Sequence, residues 1–233
     1  MFRVDQRYQP VTLEQLALAT TPEGTETFRP VPHYTVVNSV LSELSDRRVT
    51  FHDPKIYVHE DEMFAFVPLA RPGEDYQLHL GIRNTHNKRF PLGVAIGSEV
   101  MVCSNLAFSG TQELRVRHTK RVSVRLETAI PQIIASVPGM IEIQTNTYKR
   151  LHEVFIDKDS EQRFLLQAAA DCIIPQNRLR AIVDEVNAPR FEDFRSGTLW
   201  DFYNNMTTPL QGDNFQTLWT VSEQLFQRVR GMI

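Results

Sequence analysis

One stretch of this 233-residue chain, residues 76–119, carries most of its strand pattern. Tyr76, Leu78, Leu80 and Ile82 alternate with polar or small residues, which is the period-two pattern of a half-buried β-strand. Further strand-like runs come before and after, and turn residues separate them. The stretch therefore predicts that the chain folds around an antiparallel sheet.

The alternation also predicts which side chains share a face of the sheet. Leu78, Leu80 and Ile82 are expected to be buried together, with Gln77 and His79 pointing the other way. A one-residue error in this register would exchange the two faces.

Glycines and polar residues predict where the later strands bend and end. Gly93 and Gly97 suit bulges or turns. Residues 100–103 are predicted to form a short buried strand and residues 104–110 a tight loop. Residues 114–119 alternate again and predict a last strand with a basic face.

Helical spacing dominates the second half of the chain. Thr198 and Asn214 suit helix N-caps, and Pro138-Gly139 is predicted to end a helix. Upstream, Thr35 suits the N-cap of a helix that precedes a hairpin turning at residues 60–62.

These patterns predict an α+β fold, with an antiparallel sheet of about five strands packed on helices and an all-helical C-terminal half. Residues 1–28 are predicted to form a partly extended N-terminal segment. Residues 29–137 would form the α+β sheet domain, and residues 138–233 a helical region packed on it.

Composition favours an ordinary globular protein, with 42% hydrophobic and 23% charged residues. No apolar run is long enough for a spanning helix, and the N-terminus lacks the pattern of a signal peptide. Cys103 and Cys172 lie among apolar neighbours and are expected to be buried, reduced thiols. The expected location is therefore the cytoplasm, without membrane association.

Charge is unevenly distributed. Between Arg83 and Arg125 there are eight basic and two acidic residues, a net charge of +6, whereas the whole chain carries −3. Such a local field is typical of a surface that binds a polyanion. The alternative is that these side chains are solvated and deter pairing at sheet edges.

The sequence contains no recognisable catalytic motif. It lacks HExxH and CxxC spacings, a GxSxG elbow and a phosphate-binding loop. We therefore predict no catalytic residues, no metal site and no cofactor.

Several short motifs, taken in order, resemble a family of uncharacterised phage/plasmid-like proteins known as a domain of unknown function. They are Arg-Pro-Val-Pro-His-Tyr (29–34), Gly-Ile-Arg-Asn-Thr-His-Asn-Lys-Arg-Phe-Pro (81–91), Val-Cys-Ser-Asn-Leu-Ala-Phe-Ser-Gly (102–110), Arg-His-Thr (117–119) and Thr-Leu-Trp-Asp-Phe-Tyr-Asn (198–204). The resemblance implies a mobile-element origin and a cytosolic setting, and it supplies no catalytic residues.

The predicted order of helix, antiparallel strands and long helix also resembles single-strand-annealing recombinases of the RecT, Redβ and Erf kind. That resemblance implies binding of the single-strand backbone in a basic groove by a homo-oligomeric ring or filament. It concerns architecture alone, and architecture does not fix function.

We therefore predict a protein that binds single-stranded nucleic acid, in the first instance DNA, and serves strand annealing in recombination. The predicted contacts are phosphate-binding cations, two polar side chains that bond backbone or base, a stacking ring and a further histidine. They are Arg83, Lys88, Arg89, Arg115, Arg117, Lys120 and Arg121, then Asn84 and His86, then Phe108, then His118.

Two alternatives stay open. The first is a protein-binding module of a mobile element, whose partner would be a host or phage protein such as a host defence factor. The second is a nuclease or hydrolase that uses His86, His118 and an acid such as Glu99.

Overall fold

The computed structural model describes residues 5–69, 75–102 and 105–233, and the α+β prediction is confirmed. Six strands form one antiparallel sheet in chain order, so each strand pairs with the next along the chain. They are β1 (Gln9–Val11), β2 (Lys55–His59), β3 (Glu62–Pro68), β4 (Tyr76–Thr85), β5 (Leu92–Val100) and β6 (Asn105–Val116). The strand beyond the expected five is β1, which has only three residues and includes a proline, so its pattern is too short to recognise.

The C-terminal half is helical, as predicted. The helices are α1 (Leu13–Ala17), α2 (His33–Asp46), α3 (Val122–Glu153), α4 (Lys158–Ala170), α5 (Gln176–Asn187), α6 (Leu199–Thr207) and α7 (Phe215–Arg230), with 3₁₀ turns at Glu192–Phe194 and Thr208–Leu210. The Thr198 and Asn214 side chains cap α6 and α7, which confirms both N-caps. Helix α2 starts two residues before Thr35, because the extended backbone of Pro32 brings the chain directly into His33.

The predicted helix end at Pro138-Gly139 is wrong. Helix α3 continues through Pro131 and Pro138 for 32 residues. Each interior proline removes a backbone hydrogen bond and costs about 3 kcal/mol. The buried stripe of α3 continues on both sides of Pro138, at Val137 and Met140, and this packing offsets the cost. The boundary expected after residue 137 therefore falls inside one helix.

Both faces of the sheet are covered. Leu78, Leu80 and Ile82 are fully buried on one face, as predicted. On that same face Ser98 of β5 meets Tyr148 of α3, with 2.6 Å between the hydroxyl oxygens. The opposite face also lies in the core, and the His79 side chain there is completely buried.

Two segments differ from their predicted structure. Residues 101 and 102 form an exposed turn instead of a buried strand, and the expected loop at 104–110 is occupied from Asn105 onwards by β6. Strand β6 pairs with β5 from Val100 to Leu92, and this ladder supplies the hydrogen bonds that make the segment extended. The register shifts between Ala95 and Gly97, which confirms the bulge expected at Gly97.

The prediction of a buried thiol is wrong for Cys172. Cys172 is exposed in the turn after α4, with a φ of 56°, so it is not a buried thiol. Cys103 lies outside the described residues. None of the helices within the described ranges is both long enough and apolar enough to cross a membrane.

Candidate nucleic-acid interface

A cleft of about 460 Å³ lies where the β4–β5 turn, the chain after β6 and the segment before α2 meet. We name it the basic cleft. Its lining combines cationic and aromatic side chains from these three segments: Thr27, Phe28, Lys88, Arg89, Phe90, Pro91, Arg117, His118 and Thr119. Four of the predicted contact residues, two from each of two distant segments, therefore converge on one cavity.

The β4–β5 turn presents Lys88 to the cleft. The Thr85 hydroxyl donates to Asn87 Oδ1 (2.6 Å), and the same oxygen accepts the backbone N–H of Arg89 (3.1 Å). Between these residues Lys88 adopts a φ of 66°, which directs its side chain to solvent. Its Nζ lies 4.8 Å from the centre of the Phe28 ring, a cation–π distance. The turn expected at Asn87 is confirmed, whereas Asn84 belongs to strand β4.

Arg89 lies between the basic cleft and a second cavity of about 290 Å³. Its Nη1 donates to Glu62 Oε1 at 2.8 Å, while its side chain remains 69% exposed. Glu62 also accepts the Tyr8 hydroxyl at 2.6 Å. Burial and this hydrogen bond raise the pKa of Tyr8 well above 10. The Arg89 guanidinium is thus anchored to Glu62 through Nη1, and its other N–H groups point away from this contact and can bind a ligand.

The basic residues after β6 separate into two groups. Arg117 lies beyond the end of the strand and lines the cleft. Arg115, on the strand itself, reaches Glu223 of α7 at 3.4 Å. Lys120 and Arg121 are exposed between the cleft and the start of α3, where they extend the basic rim.

Four predicted contact residues are buried away from the cleft surface, namely Arg83, Asn84, His86 and Phe108. Arg83 is 3% exposed, donates to Gln216 (2.9 Å) and lies 4.7 Å from the Trp219 ring. Phe108 is 1% exposed and stacks on the same indole. Neither side chain can meet a phosphate or a base in this conformation, because both fill the space between the sheet and α7.

Asn84 and His86 bind the protein's own backbone instead of a ligand. Asn84 Nδ2 donates to the Val31 carbonyl (2.9 Å), and His86 Nε2 donates to the same oxygen (2.8 Å). Both side chains are buried. Their positions do not fit the predicted role in contacting nucleic acid, and they instead hold the segment before α2 against the sheet.

The structure adds two aromatic residues that sequence reasoning missed. Phe28 and Phe90 form walls of the cleft and are about nine-tenths buried. Phe28 precedes the Arg-Pro-Val-Pro motif, and Phe90 follows Lys88-Arg89. Aromatic residues next to basic ones were therefore the available signal, but Phe28 lay in the segment predicted to be partly extended and outside the sheet domain.

The acid proposed for hydrolysis lies far from His86. Glu99 lies opposite Gln77 in the ladder, whereas His86 follows the other end of β4 at Thr85. Eight residues separate Gln77 from Thr85, roughly 26 Å along a strand. Glu99 instead meets His79 (3.4 Å) and Lys55 (3.1 Å).

No cluster of three metal-binding side chains is found in the residues that the structure describes. Comparison with protein-family models, with curated proteins and with solved structures finds no match to this chain.

Proposed function

We propose that the protein binds single-stranded nucleic acid in the basic cleft. The observation that carries the proposal is the convergence of Lys88, Arg89 and Arg117 on one cavity from segments far apart in the chain. Solvated charges that only keep a surface soluble have no reason to line a shared concave site. Converging cations are the usual means of binding phosphate groups.

The size of the cleft favours single strands. At about 460 Å³ it falls within the range of small-ligand pockets, so it admits a nucleotide unit and not a double helix. The exposed Lys120 and Arg121 continue the positive surface from Thr119, which would let a strand extend beyond the cavity.

The chemistry of the lining predicts weak sequence preference. Lys88 and Arg117 offer charged donors to phosphate, whereas Phe28 and Phe90 are more than nine-tenths buried and leave little ring surface for stacking on a base. Contacts to phosphate position a strand without reporting its sequence. Binding would therefore be strongly dependent on salt and would tolerate different bases.

The test is a fluorescence-anisotropy titration with labelled oligo-dT at several salt concentrations. The variant K88A/R117A should weaken binding and flatten the log–log salt slope by about 1.4, because each phosphate contact on a single strand contributes about 0.7. A suitable control is K149A/R180A, which removes one Lys and one Arg from exposed helix positions outside the cleft.

Equal affinities and slopes in the two double variants would reject the cleft as the binding site. If the unmodified protein does not bind any oligonucleotide at low salt, the protein-binding alternative becomes the leading proposal.

A further inference from the structure

Three histidines from three separate segments lie along the chain that precedes α2, beside the basic cleft. His33 begins α2, His86 follows β4 and His118 follows β6, and each is more than nine-tenths buried. The rings of His33 and His86 are parallel, 4.0 Å apart and inclined by 4°. We name this group the histidine clamp.

The clamp connects the walls of the cleft. His86 donates to the Val31 carbonyl, and Asn84 Nδ2 donates to His33 Nδ1 at 2.9 Å. On the other side His118 Nδ1 bonds the Arg29 carbonyl (3.3 Å), and the Arg29 N–H donates to the His118 carbonyl (3.1 Å). These bonds hold residues 29–33 against the end of β4 and its turn on one side and against the chain after β6 on the other.

No charge of opposite sign stabilises a proton on the clamp. Among the described residues, none of the three histidines forms an ion pair with a carboxylate. The charged side chains on the surrounding segments are mostly cations. Of the acids on the neighbouring hairpin, Glu62 is bound to Arg89 and Asn87, and Asp61 accepts the His86 backbone N–H through its main-chain carbonyl. The cations are Arg29, Lys88, Arg89, Arg117, Lys120 and Arg121.

Burial therefore works against protonation. Burial, and the charges that His86 and His118 would carry, lower the pKa of His33 from 6.5 to about 3. Burial also lowers the pKa of His118, although the Arg29 carbonyl opposes this. His33 Nδ1 accepts a hydrogen bond from Asn84 at neutral pH, and a proton on that nitrogen would break it.

We propose that the basic cleft loses its nucleic acid on acidification, because proton uptake by His33, which stacks on His86, separates residues 29–33 from the β4–β5 turn. This inference rests on the proposed nucleic-acid binding. Its direction is opposite to the ordinary expectation, since added positive charge normally tightens the binding of a polyanion.

The size of the effect follows from linkage. A histidine that is protonated only when the clamp is open, with an ordinary pKa of about 6.5, favours the open form by about 30-fold at pH 5.0. The effect is absent above about pH 7, where the open form also stays neutral. We expect the Kd for oligo-dT to rise between pH 7.5 and pH 5.0, by up to about 30-fold for one such histidine.

The experiment measures the ratio of Kd at pH 5.0 to Kd at pH 7.5, at constant salt. Oligo-dT is suitable because thymine does not titrate in this range. In the variant H33N/H86Q the amide groups keep an acceptor for Asn84 and a donor for Val31 without a titrating ring. The Kd ratio of H33N/H86Q should therefore differ from 1 by less than about threefold. The control variant H52Q, which replaces an exposed histidine, should give the wild-type Kd ratio.

A second measurement needs no ligand. Hydrogen exchange, corrected for the intrinsic pH dependence, should show that the Arg29 amide, which bonds the His118 carbonyl, loses protection at pH 5.0 in the wild type but not in H33N/H86Q. A wild-type ratio at or below one, or an equal ratio in the double variant, would overturn the inference and leave nucleic-acid binding intact. Absence of binding at pH 7.5 would reject the proposed function, and hydrogen exchange would still decide whether the clamp opens.

Discussion

The Phe108 ring lies nearly parallel to the Trp219 indole, with 3.9 Å between their centroids and 16° between their planes. Gly81 of β4 lies directly beneath them. A Cβ atom at this position would be 2.4 Å from Phe108 Cε1 and 3.0 Å from Trp219 Cζ3. The backbone N–H of Phe108 also donates to Ser222 Oγ at 3.0 Å. Strand β6 and helix α7 therefore close over β4 because residue 81 has no side chain.

Gly81→Ala should destabilise the protein by about 1–3 kcal/mol, the usual cost of overpacking a dense core. Gly139 is a matched control, because it lies in helix α3 with no atom within 4 Å of an added Cβ. Gly139→Ala should instead stabilise by about 0.5–1 kcal/mol through helix propensity. Urea unfolding of both variants measures the difference, and a neutral Gly81→Ala would contradict the close approach.

The buried face of β4 gives a second prediction. Leu80→Ala should cost about 2–5 kcal/mol, because the deletion leaves a cavity between the sheet and its covering helices. Leu18, which is 84% exposed, provides the control, and Leu18→Ala should change stability by less than about 0.5 kcal/mol. Equal melting temperatures of Leu80→Ala and Leu18→Ala would show that the register assigned to strand β4 is wrong.

The period-two spacing of Arg115 and Arg117 predicts that they share a strand face and act together. The structure separates them, since Arg115 meets Glu223 and Arg117 lines the basic cleft. Arg117→Ala should flatten the salt slope of oligo-dT binding by about 0.7, whereas Arg115→Ala should leave the slope unchanged. Equal effects of the two substitutions would contradict this division.

Glu99 should make stability depend on pH in acid. Burial alone raises the pKa of Glu99, but His79 and Lys55 outweigh it and lower the pKa from 4.5 to about 2. The carboxylate thus contributes stability above about pH 4.5 that is lost as the pH falls towards 2. Glu99→Gln should destabilise by about 1–3 kcal/mol at pH 7, since it removes the charged acceptor that faces the buried His79 and the partly exposed Lys55.

Denaturant unfolding of wild type and Glu99→Gln at pH 7, 5 and 3 checks this prediction. The gap in unfolding free energy should narrow at pH 3. A gap that stays constant down to pH 3 would show that the ion pairs with His79 and Lys55 contribute nothing.

The sequence by itself determined the features that depend on neighbouring residues. Strand alternation placed Leu78, Leu80 and Ile82 on one buried face, because successive side chains of a strand point to opposite sides. Thr198 and Asn214 cap their helices because a short polar side chain there can bond the free N–H groups of the first turn. The net positive charge of the central stretch is likewise a property of composition.

Only the tertiary structure decided where each of those charged and polar groups is used. Asn84 bonds Val31, 53 residues away, and Phe108 bonds Ser222, 114 residues away, so both leave the surface that their sequence positions suggested. Helix α3 passes through Pro138 because its buried stripe packs against distant elements. Lys88 and Arg117 line one cleft because packing between distant elements brings the β4–β5 turn next to the chain after β6. Local spacing fixes the direction of a side chain relative to its own strand or helix, whereas its partners depend on contacts that form only when the whole chain has folded.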